Sequence, residues 1–555
     1  MHQIDLGIEV VDCVLSEKFL SEIGLEEHAR IIEPVKRFLR GQDDTLGPRI
    51  ANRSLLPETP PRGKGRFAQL DEDNLEWSFG VSGITDKAQH LATLFIEDIA
   101  DYIREEVDEH FDLVRYAEYL SNDAPTFDPL YNELHRPPSR IDRLLLTLTE
   151  KYVSQFKPDK VCITVPFPGC LYGALRCGQW LKANTGATVE LGGGFPNTEW
   201  REIKDNRIYE FCDIIRIENR ELRNDNSADA GQDSQFSTID SQLSFCPDFS
   251  DLPLDKYLSL VEMANPMHRL WSQGRWNKMV MAHGCYWHRC AFCDTTLDYI
   301  GRYQAPKATT VVDNMERVME QTGRTGFHFV DEALPPKLLG EVANEIVRRR
   351  LTVSFWGNIR FERAYNDELC DLLAEAGMVA VSGGLEVASD RLLKLMEKGV
   401  SVGQAIGACR SLRDAGVMVH TYLMYGFPTE TLQETINALE TVRRMFEEGI
   451  VQSAFWHRYA MTCHSPSGLH PERYGARRVT LEGNAFCNNE VDWVRADVEE
   501  CRDACAGKRS ALQFDYNIDA VGAGLRLATY NYMRGLGLDE PVRRWFRIKV
   551  PRPTV

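Results

Sequence analysis

Between residues 278 and 463 the chain repeats one alternation six times. Short apolar, β-rich runs occur at "KMVMAHGC" (278–285), "GFHFVDE" (326–332), "TVSFWGNIR" (352–360), "VAVSGGLE" (379–386), "VMVHTYLMYGFP" (417–428) and "SAFWHRYAMTC" (453–463). Helical segments such as "KLLGEVANEIVRRR" and "VGQAIGACRSLRDAG" lie between most of them, and several end on glycine, a common helix stop. Strands alternating with helices pair in parallel, because a helical crossover returns the chain to run in the same direction. Six such units make an α/β parallel barrel or partial barrel. Chemistry in that architecture gathers at the C-terminal ends of the strands. The first run ends at Cys285.

The stretch "HGCYWHRCAFCD" (283–294) then places Cys285, Cys290 and Cys293 within nine residues, with gaps of four and two. Three thiolates this close can ligate an iron–sulfur cluster, and on a [4Fe–4S] cube three protein ligands leave one iron open. Structural zinc is the alternative. It asks for a closed tetrahedral set, which Cys285, His283 or His288 would have to complete around the pair 290–293. A catalytic cysteine needs one activated thiol, not three. The chain has fifteen cysteines, and its start shows no basic segment before an apolar stretch, so a reducing cytoplasm is expected. There, clustered cysteines are metal or redox sites more often than disulfides. No apolar run reaches the length of a membrane span.

A chain of 555 residues is too long for one core. Residues 1–142 read as a mainly helical region, broken at "LLPETPPRGKG" (55–65) and "HRPPSR" (135–140). Residues 143–221 form a second alternating series, with strands at 159–167, 187–195 and 211–217 around the amphipathic segment 168–186. Ligands of such sheets sit at strand C-terminal ends, here Pro166–Cys170 and Gly192–Gly194, although glycines there can equally do no more than turn the chain. Residues 222–277 are a polar loop and linker. Residues 466–555 form a C-terminal extension, expected to be mainly helical. Its Cys487, Cys501 and Cys505, with Cys463 before them, are either scattered buried thiols or ligands of a second cluster. A net charge of −18 argues against nucleic acid or an anionic membrane as bulk partner. A small molecule, lipid or peptide substrate is expected instead.

The cysteine loop followed by six βα units resembles the radical S-adenosylmethionine (radical SAM) enzymes. That family's usual cysteine gaps are three and two, so this chain departs by one residue in the first gap. The aromatic before the last cysteine is Phe292. By the same resemblance, Asp331 and Glu332 stand where the second strand's acidic motif binds the methionine amino group. Glu386 and Ser389 stand where the fourth strand meets the ribose and carboxylate, and Gly426 where the fifth strand turns near the adenine. The resemblance covers residues 278–465. The segment "ITVPFPGCLYGALRCGQWLKANTGATVELGGGFPNTEW" is similar to the second half of a Rossmann-like cobalamin (B12)-binding domain, with Thr164, Pro166, Gly192 and Gly193 at corrin and nucleotide-tail positions. The lower-axial motif Asp-x-His-x-x-Gly is absent. Its nearest counterpart, "DEHFDL" (108–113), reads as helical, with His110 on the helix surface.

The resemblance implies a [4Fe–4S] cluster on Cys285, Cys290 and Cys293, and S-adenosylmethionine cleaved to a 5′-deoxyadenosyl radical that removes hydrogen from an unactivated carbon. A low-potential donor such as flavodoxin or ferredoxin would supply the electron. Methyl transfer from cobalamin is the leading expectation. Rearrangement, cyclisation or dehydrogenation without cobalamin is the second, and a non-catalytic zinc or cluster protein the third. His420, Tyr422, Tyr425, Trp456, His457 and Tyr459 are candidates for the substrate cavity, with Tyr422, Tyr425 and His457 as catalytic candidates; each could equally be core packing.

Overall fold

The computed structural model describes residues 2–57, 83–114, 116–122, 126–199, 205–217, 220–222, 246–261, 265–272, 274–479, 489–497 and 513–555. They fall into two compact units. Cys487, Cys501 and Cys505 lie outside the described residues, and with them the expectation of a second cluster.

The first unit joins the N-terminal helices to a small sheet. The helix Ile84–Glu106 buries Leu91, Phe95, Ile99 and Ile103, a stripe at four-residue steps. The helix Arg140–Phe156 starts on a reciprocal cap between Ser139 and Asp142. The sheet contains β1 (Lys160–Thr164), β2 (Thr188–Gly192), β3 (Ile214–Ile217) and β4 (Arg220–Leu222), side by side in that order. The first three are parallel, and β4 returns antiparallel to β3. Val189, Leu191 and Ile215 pack with Leu171 and Leu175 of the helix Leu171–Asn184. Among the described residues the strand order does not reverse, so these four strands contain no topological switch point. On β1, Lys160, Cys162 and Thr164 are exposed. Beside them Glu190 accepts from Arg216 at 2.5 Å and pairs with Lys160 at 2.6 Å.

His110 departs from the sequence reading. The helix ends at Glu106, and His110 is buried on the turn that follows. Its Nδ1 lies 2.6 Å from the Tyr119 hydroxyl and its Nε2 3.3 Å from Glu133. Apolar periodicity carried the helical reading past the residues that turn the chain.

The second unit is built on six parallel strands, β5 (Asn277–Met279), β6 (Gly326–Phe329), β7 (Ser354–Ile359), β8 (Met378–Glu386), β9 (Met418–Tyr425) and β10 (Ser453–Arg458). They neighbour one another in chain order, and β5 and β10 are the edges. Helices Ala308–Thr322, Pro336–Arg349, Asp367–Glu375, Val402–Asp414 and Leu432–Glu447 provide the crossovers. One face of each strand feeds the core beneath them through Phe327, Phe329, Phe355, Val381, Val419 and Leu423. The opposite face carries His328, stacked on Trp356 at 3.6 Å, and His420, which Trp271 of the short helix His268–Ser272 meets edge-on at 5.0 Å. The C-terminal segment adds the helix Ile518–Tyr532 and an antiparallel ribbon, β11 (Ala476–Arg478) with β12 (Trp493–Arg495), which the sequence reading did not anticipate. No described helix is long and apolar enough to cross a membrane.

Candidate functional site

The cysteine loop leaves the sheet directly after β5, and the barrel holds it from three sides. The Asp331 carboxylate accepts the backbone N–H of Met281 and of Ala282, each at 2.7 Å, and so fixes the strand end to the segment after β6. Ala291 N–H donates to Met396 O at 2.8 Å, and the Trp287 indole N–H to Glu397 O at 2.8 Å. The third hold comes from the segment after β10. Ser467 N–H donates to Ala291 O at 2.9 Å, the Thr296 hydroxyl to His464 O at 3.0 Å, and the Thr462 hydroxyl to Asp294.

Cys290 is buried, while Cys285 and Cys293 are partly exposed. The hydrogen bond from Cys293 holds the Cys290 thiol below the usual thiol range, aided by the nearby Lys398 and Arg360 charges and opposed by burial. Cys293 moves the opposite way for the same reason. Among the described residues no three His, Cys, Asp or Glu side chains gather as ligands of one metal ion. A cubane sets a different requirement, since each thiolate binds its own iron. Three thiols on one loop next to two cations suit an anionic iron–sulfur cluster.

Lys398 is buried and pairs with Glu386 at 2.6 Å, its ammonium 5.5 Å from the centre of the Phe292 ring. Glu386 ends β8 at φ +57°, a left-handed conformation unusual for a non-glycine residue and a kind of strain that collects at functional sites. At the end of β9 the buried Glu430 carboxylate organises the turn. It accepts the N–H of Gly426 at 2.7 Å and of Phe427 at 3.1 Å, and the Thr435 hydroxyl at 2.6 Å. Burial pushes Glu430 up to about 7 against those three donors.

Residues 279–442 match the model of the Radical SAM superfamily. That stretch is a radical SAM domain. A domain of this superfamily works with a [4Fe–4S] cluster and S-adenosylmethionine, and the donor set around Cys290 fits both. An uncharacterized methyltransferase of Pyrococcus horikoshii is 22% identical over 201 residues, 36% of this chain and 41% of that protein. An anaerobic magnesium-protoporphyrin IX monomethyl ester cyclase of Rubrivivax gelatinosus is 30% identical over 224 residues, 38% of this chain and 36% of that protein. The chain thus spans well under half the length of these curated relatives. Among solved structures, the radical SAM methyltransferase TsrM of Kitasatospora setae, with cobalamin and a [4Fe–4S] cluster bound, superposes with a TM-score of 0.43 at 20% identity. It covers 61% of this chain and 73% of that one.

Within the radical SAM domain the expected site residues fall into two groups. Glu332 is exposed at the residue level, and desolvation of its carboxyl raises it above the usual carboxylate range. Phe292, Glu386 and Gly426 (φ +84°) lie at strand or loop ends around the cysteines or the β9 turn. Asp331 is already engaged with backbone and is pushed up to about 7 by burial. The Ser389 hydroxyl caps the helix Asp390–Leu395 and donates to Glu434 at 2.9 Å. These two hold the scaffold rather than point free groups into a site.

The aromatic candidates separate by strand face. Tyr422 shares the inner face with His420, at 4.9 Å, and His457, at 6.3 Å. Phe455, unsuspected from the sequence, is opposite Tyr422 in the ladder and completes that wall. Burial holds His420 down at about 3, so it stays neutral. Tyr425 stands three residues on and therefore faces the other way. It accepts from Arg526 of the C-terminal helix at 3.2 Å. Trp456 donates to Thr529 at 2.8 Å, and Tyr459 to Ser467 at 2.7 Å. Tyr425 and Trp456 pack beneath the C-terminal helix, and Tyr459 against Phe427 and Trp493, contacts of the core-packing kind for all three. The sequence reading also missed Val280 and Val330, which follow β5 and β6 directly and are 55% and 40% exposed.

In the first unit, Thr164 and Pro166 are exposed at the end of β1, and Thr164 is opposite Gly192. Gly193 has φ +107°, and a Cβ there would sit 2.8 Å from Val165 O. That glycine lets two loops of the chain meet.

Proposed function

We propose that the chain is a radical SAM methyltransferase acting on an unactivated carbon of a small molecule. The observation that carries it is the three-cysteine loop beside Lys398 and Arg360, opening onto an inner face lined by Tyr422, Phe455 and His457, with Val280 and Val330 exposed directly after β5 and β6. When bound, the cluster with S-adenosylmethionine supplies a hydrogen-abstracting radical, and cobalamin supplies a transferable methyl group. Cys285, Cys290 and Cys293 would hold the cluster, and a low-potential flavodoxin or ferredoxin would reduce it. Glu332 and the Glu386–Lys398 pair would meet the charged end of S-adenosylmethionine. Thr164, Pro166 and Gly192 are the residues available to cobalamin. His110 has both ring nitrogens engaged within the protein, so it would not be available as a ligand to cobalt. The exposed valines and the Phe455–Tyr422 wall suit a substrate with an apolar body, and His457 offers it one polar contact.

A second reading, radical cyclisation or dehydrogenation without cobalamin, draws support from the first sheet. Among the described residues its strand order contains no switch point. The test is anaerobic reconstitution followed by iron, sulfide and cobalt analysis and assay of 5′-deoxyadenosine under a strong reductant. About four irons per chain and nucleoside release, both lost in Cys290→Ala, are expected. Stoichiometric cobalt selects methyl transfer; its absence after cobalamin is supplied selects the second reading. Zinc without iron would overturn both.

A further inference from the structure

We infer that Arg360 is a positioning residue that clamps the lengthened cysteine loop and raises the reduction potential of the cluster it carries. This rests on the radical SAM reading above. Arg360 follows β7 and is buried. Its Nη1 donates to Cys290 Sγ at 3.7 Å and its Nη2 to Lys398 O. The guanidinium lies 4.6 Å from the Trp287 ring centre and 5.9 Å from that of Tyr286. Both aromatics belong to the four-residue gap between Cys285 and Cys290.

The added length of that gap is anchored and does not dangle. The Trp287 indole N–H is fixed to Glu397 O, and its ring lies against Gly399, which has φ +77° and no room for a side chain. The Tyr286 hydroxyl donates to Glu362 at 2.8 Å, and that carboxylate also stands 3.8 Å from Arg360 Nε. His288 turns the loop at φ +38°, with its Nδ1 2.9 Å from Cys285 O. The guanidinium is thus stacked on the insertion, bonded to the segment behind it and donating to one ligand sulfur. A planar fork performs these tasks together, and a lysine ammonium cannot. An N–H donor on a ligand sulfur, with a positive charge behind it, favours the more negative reduced cluster. Hydrogen bonds to sulfur and local charge are among the factors that set such potentials.

The test is an EPR-monitored redox titration of the reconstituted full chain, native and as Arg360→Gln, Arg360→Lys and Trp287→Phe, with iron content for each. The expected result is a reduced-to-oxidised ratio at fixed potential at least tenfold lower in Arg360→Gln, which is about 59 mV for one electron. Arg360→Lys should fall between, because charge remains without the fork. Trp287→Phe should lower the ratio by less than Arg360→Gln, since the donor stays but its stacking partner loses the bond to Glu397. Should Arg360→Gln fail to retain iron, the ordering of the other two variants below the native chain decides. Native-like potentials in all iron-bearing variants would overturn the inference and leave the radical SAM reading standing. A native chain that assembles no cluster would overturn both.

Discussion

Replacing Glu430 by glutamine tests how burial and hydrogen bonding compete at the β9 turn. Three donors reach the Glu430 carboxylate, which by itself would favour the ionised form, yet complete burial prevails and raises it from 4.5 to about 7. A raised carboxylate gives the folded state more bound protons than the unfolded chain between those two values. Its contribution to stability is therefore complete below about pH 4.5 and is lost as pH rises through about 7. At 1.36 kcal/mol per pH unit the displacement corresponds to roughly 3 kcal/mol. Asp331 is raised the same way, also to about 7, and its slope remains in the variant. The measurement is the urea midpoint of the full chain, native and Glu430→Gln, at intervals from pH 4.5 to 8. The native chain should lose stability across that window more steeply than the variant, the two curves diverging by about 3 kcal/mol. Parallel curves would refute the reasoning, because they would mean that the three donors keep Glu430 ionised throughout.

Two further substitutions follow from the same geometry. Lys398→Met leaves Glu386 buried without its partner and should destabilise the chain by about 3–5 kcal/mol in urea unfolding, with most of the loss recovered in the double variant Glu386→Gln/Lys398→Met. Tyr422→Phe should lower product formation with little change in unfolding midpoint. Tyr425→Phe should leave product formation near native and cost stability by about 1 kcal/mol, since its hydroxyl serves the C-terminal helix.

All six strands of the large sheet were legible as apolar runs, and their order and parallel pairing followed from the helices between them. Which face a residue takes was not legible. Tyr422 and Tyr425 both sit in a mostly apolar run, where polar alternation gives no signal. Only the observed register separates a cavity wall from a packing contact. Ser389 and Asp331 illustrate a second limit. Both stand where a ligand contact was expected, and both are engaged by local backbone, Ser389 at a helix cap and Asp331 across to β5. Val280 and Val330 escaped notice because an apolar residue in a strand reads as core unless its surroundings are known. The β11–β12 ribbon is three residues on each side, too short for an alternation pattern.

The hydrogen bonds from Ser467, Thr296 and Thr462 have a mechanical consequence. A closed barrel fixes its own radius, because the backbone ladder runs all the way round like a hoop. Six strands with free edges at β5 and β10 have no such hoop. Here the circuit is completed at the rim, where the loop after the first strand is fastened to the segment after the last. The cysteine loop is therefore the buckle of the arc. Whatever stiffens that loop also sets how far the two edge strands stand apart, and so the width of the space that a substrate has to enter.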